Sequence, residues 1–199
     1  MRKMLAVVPA VLVLAMMVGC AKPPQPAIDA ANAALASAKT AEAADYAADS
    51  LKGAEDAVAA LQTELKTQEE KFALFRSYKK AEELAASAKA AGEKAASDAA
   101  AAKEAAKNAA TQGLAELKTA LDEAKMALDK APKGKGTQAD LEMMKNDLTG
   151  VESAVAEAEN ALNAGKYKDA QAKIDAAKQT VANTKSAIDQ AIAAKMGKK

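Results

Sequence analysis

Apolar residues recur every three or four positions through most of this chain, from Ile28 to Ala191. That spacing lines one face of a 3.6-residue helix and lets helices pack along a seam. A first helix places Ile28, Ala31, Leu35 and Ala38 on one stripe. A second carries Leu51, Ala54, Val58, Leu61 and Leu65. The third has Tyr78, Ala81, Ala85 and Ala88, then runs past Gly92 through Ala95, Ala99, Ala102, Ala106 and Ala109. The fourth holds Leu114, Leu117, Leu121, Ala124 and Leu128, and Pro132 stops it. A fifth carries Leu141, Met144, Leu148, Val151, Val155, Ala158 and Leu162. The sixth carries Tyr167, Ala170, Ile174, Ala177, Val181, Thr184, Ile188 and Ala191.

The breaks between these stripes differ in strength. Pro132-Lys133-Gly134-Lys135-Gly136 forces a turn, with Thr137 or Asp140 as the expected cap of the fifth helix. Asn163-Ala164-Gly165 is short enough to make helices five and six antiparallel neighbours. Earlier in the chain the signals are softer: Asp45 or Asp49 as a cap of the second helix, and Thr67-x-x-Glu70 as a capping box opening the third early.

The pattern also repeats. Ala27-Ile28-Asp29 matches Ala120-Leu121-Asp122, and Leu51-Lys52-Gly53-Ala54-Glu55 matches Leu148-Thr149-Gly150-Val151-Glu152. Tyr78-Lys79-Lys80-Ala81 matches Tyr167-Lys168-Asp169-Ala170. Near-constant offsets predict two tandem three-helix units, residues 27–112 and 113–196, before a basic tail at 197–199. The expected fold class is all-α: an elongated antiparallel helical bundle or coiled coil. If the third and fourth helices are one, residues 78–131 span ~80 Å at 1.5 Å per residue. The alternative is a single bundle folded back at Gly113.

Composition sharpens this picture. Alanine supplies 57 of the 199 residues; it is the best helix former, but its methyl group buries little area. The expected product is a monomeric helical domain of modest stability, suited to length rather than to enclosing a substrate.

The N-terminus reads differently. Arg2 and Lys3 precede an apolar run from Leu5 to Val18, short of the ~20 residues that span a bilayer, as in a secretory signal peptide at residues 1–19. An uncleaved anchor is the alternative. Residues 21–26, Ala-Lys-Pro-Pro-Gln-Pro, favour an extended spacer, so residues 20–26 form a tether. Cys20 is the only cysteine, which excludes a disulfide within the monomer. Without residues 1–19, Lys+Arg falls from 28 to 26 against 27 Asp+Glu. That balance leaves no basic surplus for a nucleic acid.

No reaction chemistry is legible. The chain has no histidine, the commonest general base, and pairs such as Glu69-Glu70 point about 100° apart on a helix. No catalytic residue, metal ligand or cofactor site is expected, and the chain reads as a non-enzyme. Phe72, Phe75 and Tyr78 hold three of the five aromatic residues within seven positions. They read first as a plug closing the hairpin of helices two and three, and second as a partner-docking patch.

Met17-Val18-Gly19-Cys20 resembles the bacterial lipobox, with Met17 where Leu is usual. The resemblance implies a lipid on Cys20 and removal of the leader. Ala21, in place of the Asp that marks inner-membrane retention in enterobacteria, leans towards the periplasmic face of the outer membrane. The tether and Ala43-Ala44-Asp45-Tyr46-Ala47 before Leu51 resemble an uncharacterised family of alanine-rich helical periplasmic lipoproteins, over roughly residues 20–110. More distantly the chain is similar to the murein lipoprotein family, whose terminal lysine is joined to peptidoglycan. Lys199 is the position that inherits such attachment, but Gly197-Lys198-Lys199 replaces the usual Tyr-Arg-Lys. An even number of antiparallel helices would also turn this end back towards the membrane, whereas a fused third and fourth helix would make the count five and point it outward, so the geometry turns on Gly113. Attachment is not expected. These features imply an envelope lipoprotein acting as a spacer or scaffold. The alternative is a helical binding module for an envelope protein complex or peptidoglycan.

Overall fold

The computed structural model describes residues 21–132 and 138–196, and among them every regular element is helical. Helix α1 is Gln25–Thr40, α2 the single turn Ala43–Tyr46, and α3 Ala48–Glu69. A 3₁₀ turn at Ala73–Phe75 precedes α4, Lys79–Lys130, followed by α5, Gln138–Asn163, and α6, Tyr167–Met196. Cys20, Thr137 and Lys199 lie outside the described residues. These helices pack into an all-α bundle.

Helix α4 runs 52 residues without a break. The predicted third and fourth helices are therefore one, and the fold-back at Gly113 does not occur. A glycine inside a helix costs ~1 kcal/mol relative to alanine, which packing readily outweighs. Gly113 is packed: a Cβ built there meets Ile174 Cγ2 on α6 at 3.2 Å. Continuity also corrects the stripe. Counting back from buried Leu117 by three and four gives Gly113, Ala110 and Ala106, so Ala110 is buried and Ala109 exposed.

The chain clusters into two compact units divided between Ala102 and Lys103, ten residues before the break expected from the repeat. The positions paired by the repeat fall on corresponding elements. Ile28 of α1 pairs with Leu121 of α4, Leu51 of α3 with Leu148 of α5, and Tyr78 at the head of α4 with Tyr167 at the head of α6.

In the first unit α1, α3 and the start of α4 share two core clusters. One joins Ala31, Val58, Leu61, Tyr78 and Ala81, with Ala27, Ile28 and Leu65 packed at its edge. The other joins Ala38, Ala43, Leu51, Ala54, Ala95 and Ala99. The first cluster therefore marks the end of the unit where the chain enters α1, leaves α3 and enters α4. The second marks the end where α1 turns through α2 into α3. Between them Gly92 lets two helix backbones approach, since a Cβ there would stand 2.7 Å from the carbonyl carbon of Ala34.

The second unit is filled by larger side chains, among them Leu117, Leu148, Val151, Ile174 and Val181. Its α5–α6 turn is closed by Gly165 at φ 76°, a left-handed position that suits glycine. The Lys166 N–H donates to the Ala161 carbonyl at 2.9 Å and the Gly165 N–H to the Leu162 carbonyl at 3.1 Å, satisfying the last carbonyls of α5. Lys118–Glu159, Lys125–Glu152 and Lys178–Glu116 join neighbouring helices. Such exposed pairs are individually worth up to ~1 kcal/mol and help set helix register.

Several local expectations are corrected. Helix α1 begins at Gln25 and takes Pro26 into its first turn, where a missing N–H costs nothing, so the spacer ends at Pro24. Asp49 and Asp140 lie in the first turns of α3 and α5 rather than at a cap, and Ala47 caps α3 without a side-chain bond. Thr67-x-x-Glu70 closes α3 instead of opening a helix: Thr67 Oγ1 donates back to the Thr63 carbonyl at 2.9 Å. The stripe Val58, Leu61, Leu65 simply continues to buried Gln68.

Candidate functional site

The three aromatic residues singled out in the sequence separate in the structure. Tyr78 is buried against Leu61 and Val58 and closes the end of the first unit. Phe72 and Phe75 do not plug it: they are 69% and 76% exposed, and Leu74 between them is 73% exposed. The plug is thus Tyr78 alone. The 3₁₀ turn explains the outward pair, because residues three apart eclipse one another on such a turn. The Phe75 N–H donates to the Phe72 carbonyl at 2.8 Å, and the two rings sit 6.3 Å apart between centroids.

A polar lattice holds this loop in place. Arg76 reaches back over the end of α3, its Nη2 donating to the Glu69 carbonyl at 2.8 Å and its Nε to the Lys71 carbonyl at 3.0 Å. It therefore satisfies carbonyls that the helix terminus leaves without partners. Gln68 Oε1 accepts from the Ser77 N–H and from Lys71 Nζ, each at 3.1 Å. Gln68 Nε2 donates to Glu64 Oε1 at 2.6 Å, and Lys80 Nζ lies 3.1 Å from Glu64 Oε2. The lattice ties the end of α3, the loop and the first turn of α4 together. Sequence reasoning missed Glu64, Gln68, Leu74, Arg76 and Ser77. The available signal was polar Glu64 and Gln68 in phase with the apolar stripe of α3.

The lattice carries a pH dependence. Its hydrogen bond from Gln68 and then that from Lys80 hold the Glu64 carboxyl below the usual glutamate range, against the opposing effect of partial burial. A carboxyl with a depressed folded-state pKa contributes stability above its unfolded pKa of ~4.3 and loses it as pH falls through the folded value. The Ser77 amide resonance should therefore shift on acidification below that range, as the Glu64 carboxylate protonates and Gln68 is released. Glu64→Gln should abolish that titration; an unchanged profile in the variant would assign it elsewhere.

The remaining surface offers less. Two open depressions lie on α6 around Ser186 and between α5 and α6 around Asp147 and Lys173. Among the described residues, no three His, Cys, Asp or Glu side chains group as metal ligands, and no helix is long and apolar enough to cross a membrane. Met144 is buried in the second unit and Met143 exposed beside it. What the fold defines is a class, the all-α helical bundle, with a braced apolar loop at one end of its first unit. No protein-family model, curated protein or solved structure matches the chain.

Proposed function

We propose that this chain is a non-enzymatic bacterial envelope lipoprotein, a spacer or scaffold held at the periplasmic face of the outer membrane by a lipid on Cys20. The observation that carries the reading is the order of parts: a lipobox-like run to Cys20, a proline spacer ending at Pro24, then helices with largely alanine seams. A diacylglyceryl group with an amide-linked chain would anchor stably, where a single acyl chain binds marginally. Mass spectrometry of the mature N-terminus is expected to show acylated Cys20, and Cys20→Ser to release the protein from membranes or block its processing. An unmodified N-terminus starting elsewhere would remove the basis for this localisation.

The second reading is a binding module for an envelope protein or for peptidoglycan, and exposed Phe72, Leu74 and Phe75 favour it. A stoichiometric partner recovered with the lipidated protein would select it over the scaffold. With α4 unbroken, the described residues hold five long helices, the odd count that would point the C-terminus outward. The tail's departure from Tyr-Arg-Lys remains. Detergent-boiled sacculi separate the cases: attached protein stays with them and is lost on deleting Lys199.

A further inference from the structure

Residues 71–80 contain three exposed apolar side chains, Phe72, Leu74 and Phe75, and exposed Lys79, between the acidic pairs Glu69-Glu70 and Glu82-Glu83. Large exposed apolar groups are what the membrane–water interface accepts: rings and aliphatic chains enter the acyl boundary while neighbouring charged side chains stay at the headgroups. The exposed turn is also held rigid by Arg76 and Gln68, so inserting it orders little additional chain.

The loop also lies near the start of the first helix. Ala27, Ile28, Leu65 and Tyr78 share one core cluster, so the loop lies at the same end of the first unit as the entry to α1. Only Ala21–Pro24 separate Cys20 from that entry, a reach of at most ~18 Å fully extended. A lipid on Cys20 therefore brings the loop to the bilayer at high effective concentration.

We infer that the loop between α3 and α4 docks on a phospholipid surface, with Phe72, Leu74 and Phe75 in its interfacial layer and Lys79 at the headgroups. The docking rests on the proposed anchorage at Cys20 for its natural setting, and the test is independent of natural lipidation.

The chain has no tryptophan, so Phe75→Trp introduces a unique fluorophore. Protein starting at Cys20 is coupled through its single thiol to a maleimide lipid in vesicles of phosphatidylethanolamine with phosphatidylglycerol. A matched protein carries Ala44→Trp, an exposed position at the opposite end of the first unit. Circular dichroism checks that both remain helical. Emission from the indole at position 75 should shift to the blue and be largely quenched by brominated lipid, while the indole at position 44 stays accessible to iodide. Phe72→Ser with Leu74→Ser should weaken the response of the Phe75→Trp protein. Emission from position 75 unchanged on vesicles, or equal quenching of both fluorophores, would overturn the inference. So would photo-crosslinking at position 75 that traps a protein in cells while the vesicle signal is absent. Mass spectrometry of the native N-terminus reports separately on lipidation, so the two failures are distinguishable.

Discussion

Gly92→Ala is expected to destabilise the first unit by about 1–3 kcal/mol, although it places a better helix former inside a helix. The added methyl would stand 2.7 Å from the Ala34 carbonyl carbon, 2.9 Å from Ala34 Cβ and 2.9 Å from the Leu35 nitrogen. Two of those three neighbours are backbone atoms, so relief requires α1 and α4 to move apart. Separation would loosen the alanine contacts on both sides, because methyl groups fill little of any gap that opens. Gly53 and Gly150 provide matched controls, since a Cβ at either meets nothing within 4 Å. Alanine there should stabilise by ~1 kcal/mol. Urea denaturation followed by circular dichroism compares the three. A midpoint for Gly92→Ala raised as much as those of the controls would refute the close approach.

Leu61→Ala should be the more damaging change, with a loss of about 2–5 kcal/mol. Leu61 is 1% exposed, and its cluster is otherwise built from Ala31, Ala81, Ala85, Ala88, Val58 and Tyr78. Alanine methyls cannot swing into the cavity, so little relaxation offsets the lost contacts. The second unit has more in reserve, with Leu117, Ile174, Val181 and Ile188 all under 2% exposed. Amides across residues 85–110 should accordingly exchange faster than those of 141–191 in the unaltered chain. Leu61→Ala should accelerate exchange in α1 and α3 first. Equal protection across both stretches, or a uniform response to the substitution, would contradict this account of an alanine-filled core.

The candidate site was only partly legible in the chain. The aromatic cluster at Phe72, Phe75 and Tyr78 stood out by composition, but its division into one buried and two exposed rings did not. Tyr78 falls in phase with Ala81 and Ala85 at the head of α4 and joins that stripe. Phe72 and Phe75 belong to no helical phase, because a 3₁₀ turn lies between α3 and α4. Their direction follows from Arg76 and Gln68, which bind the loop backbone, and such bonds leave no periodic trace in a sequence.

The sequence by itself determined that the chain is helical and where most of the buried stripes run, from Ala31 in α1 to Ile188 in α6. That information is local: residues three and four apart share a face whatever the helix packs against. Tertiary structure decided what became of the glycines, which carry no side chain to betray their surroundings. Gly113 stays inside α4 with Ile174 packed over it, Gly92 marks a close approach of α1, and Gly53 faces open solvent. Helix propensity gives all three the same cost of ~1 kcal/mol, so only the neighbour across the seam distinguishes them.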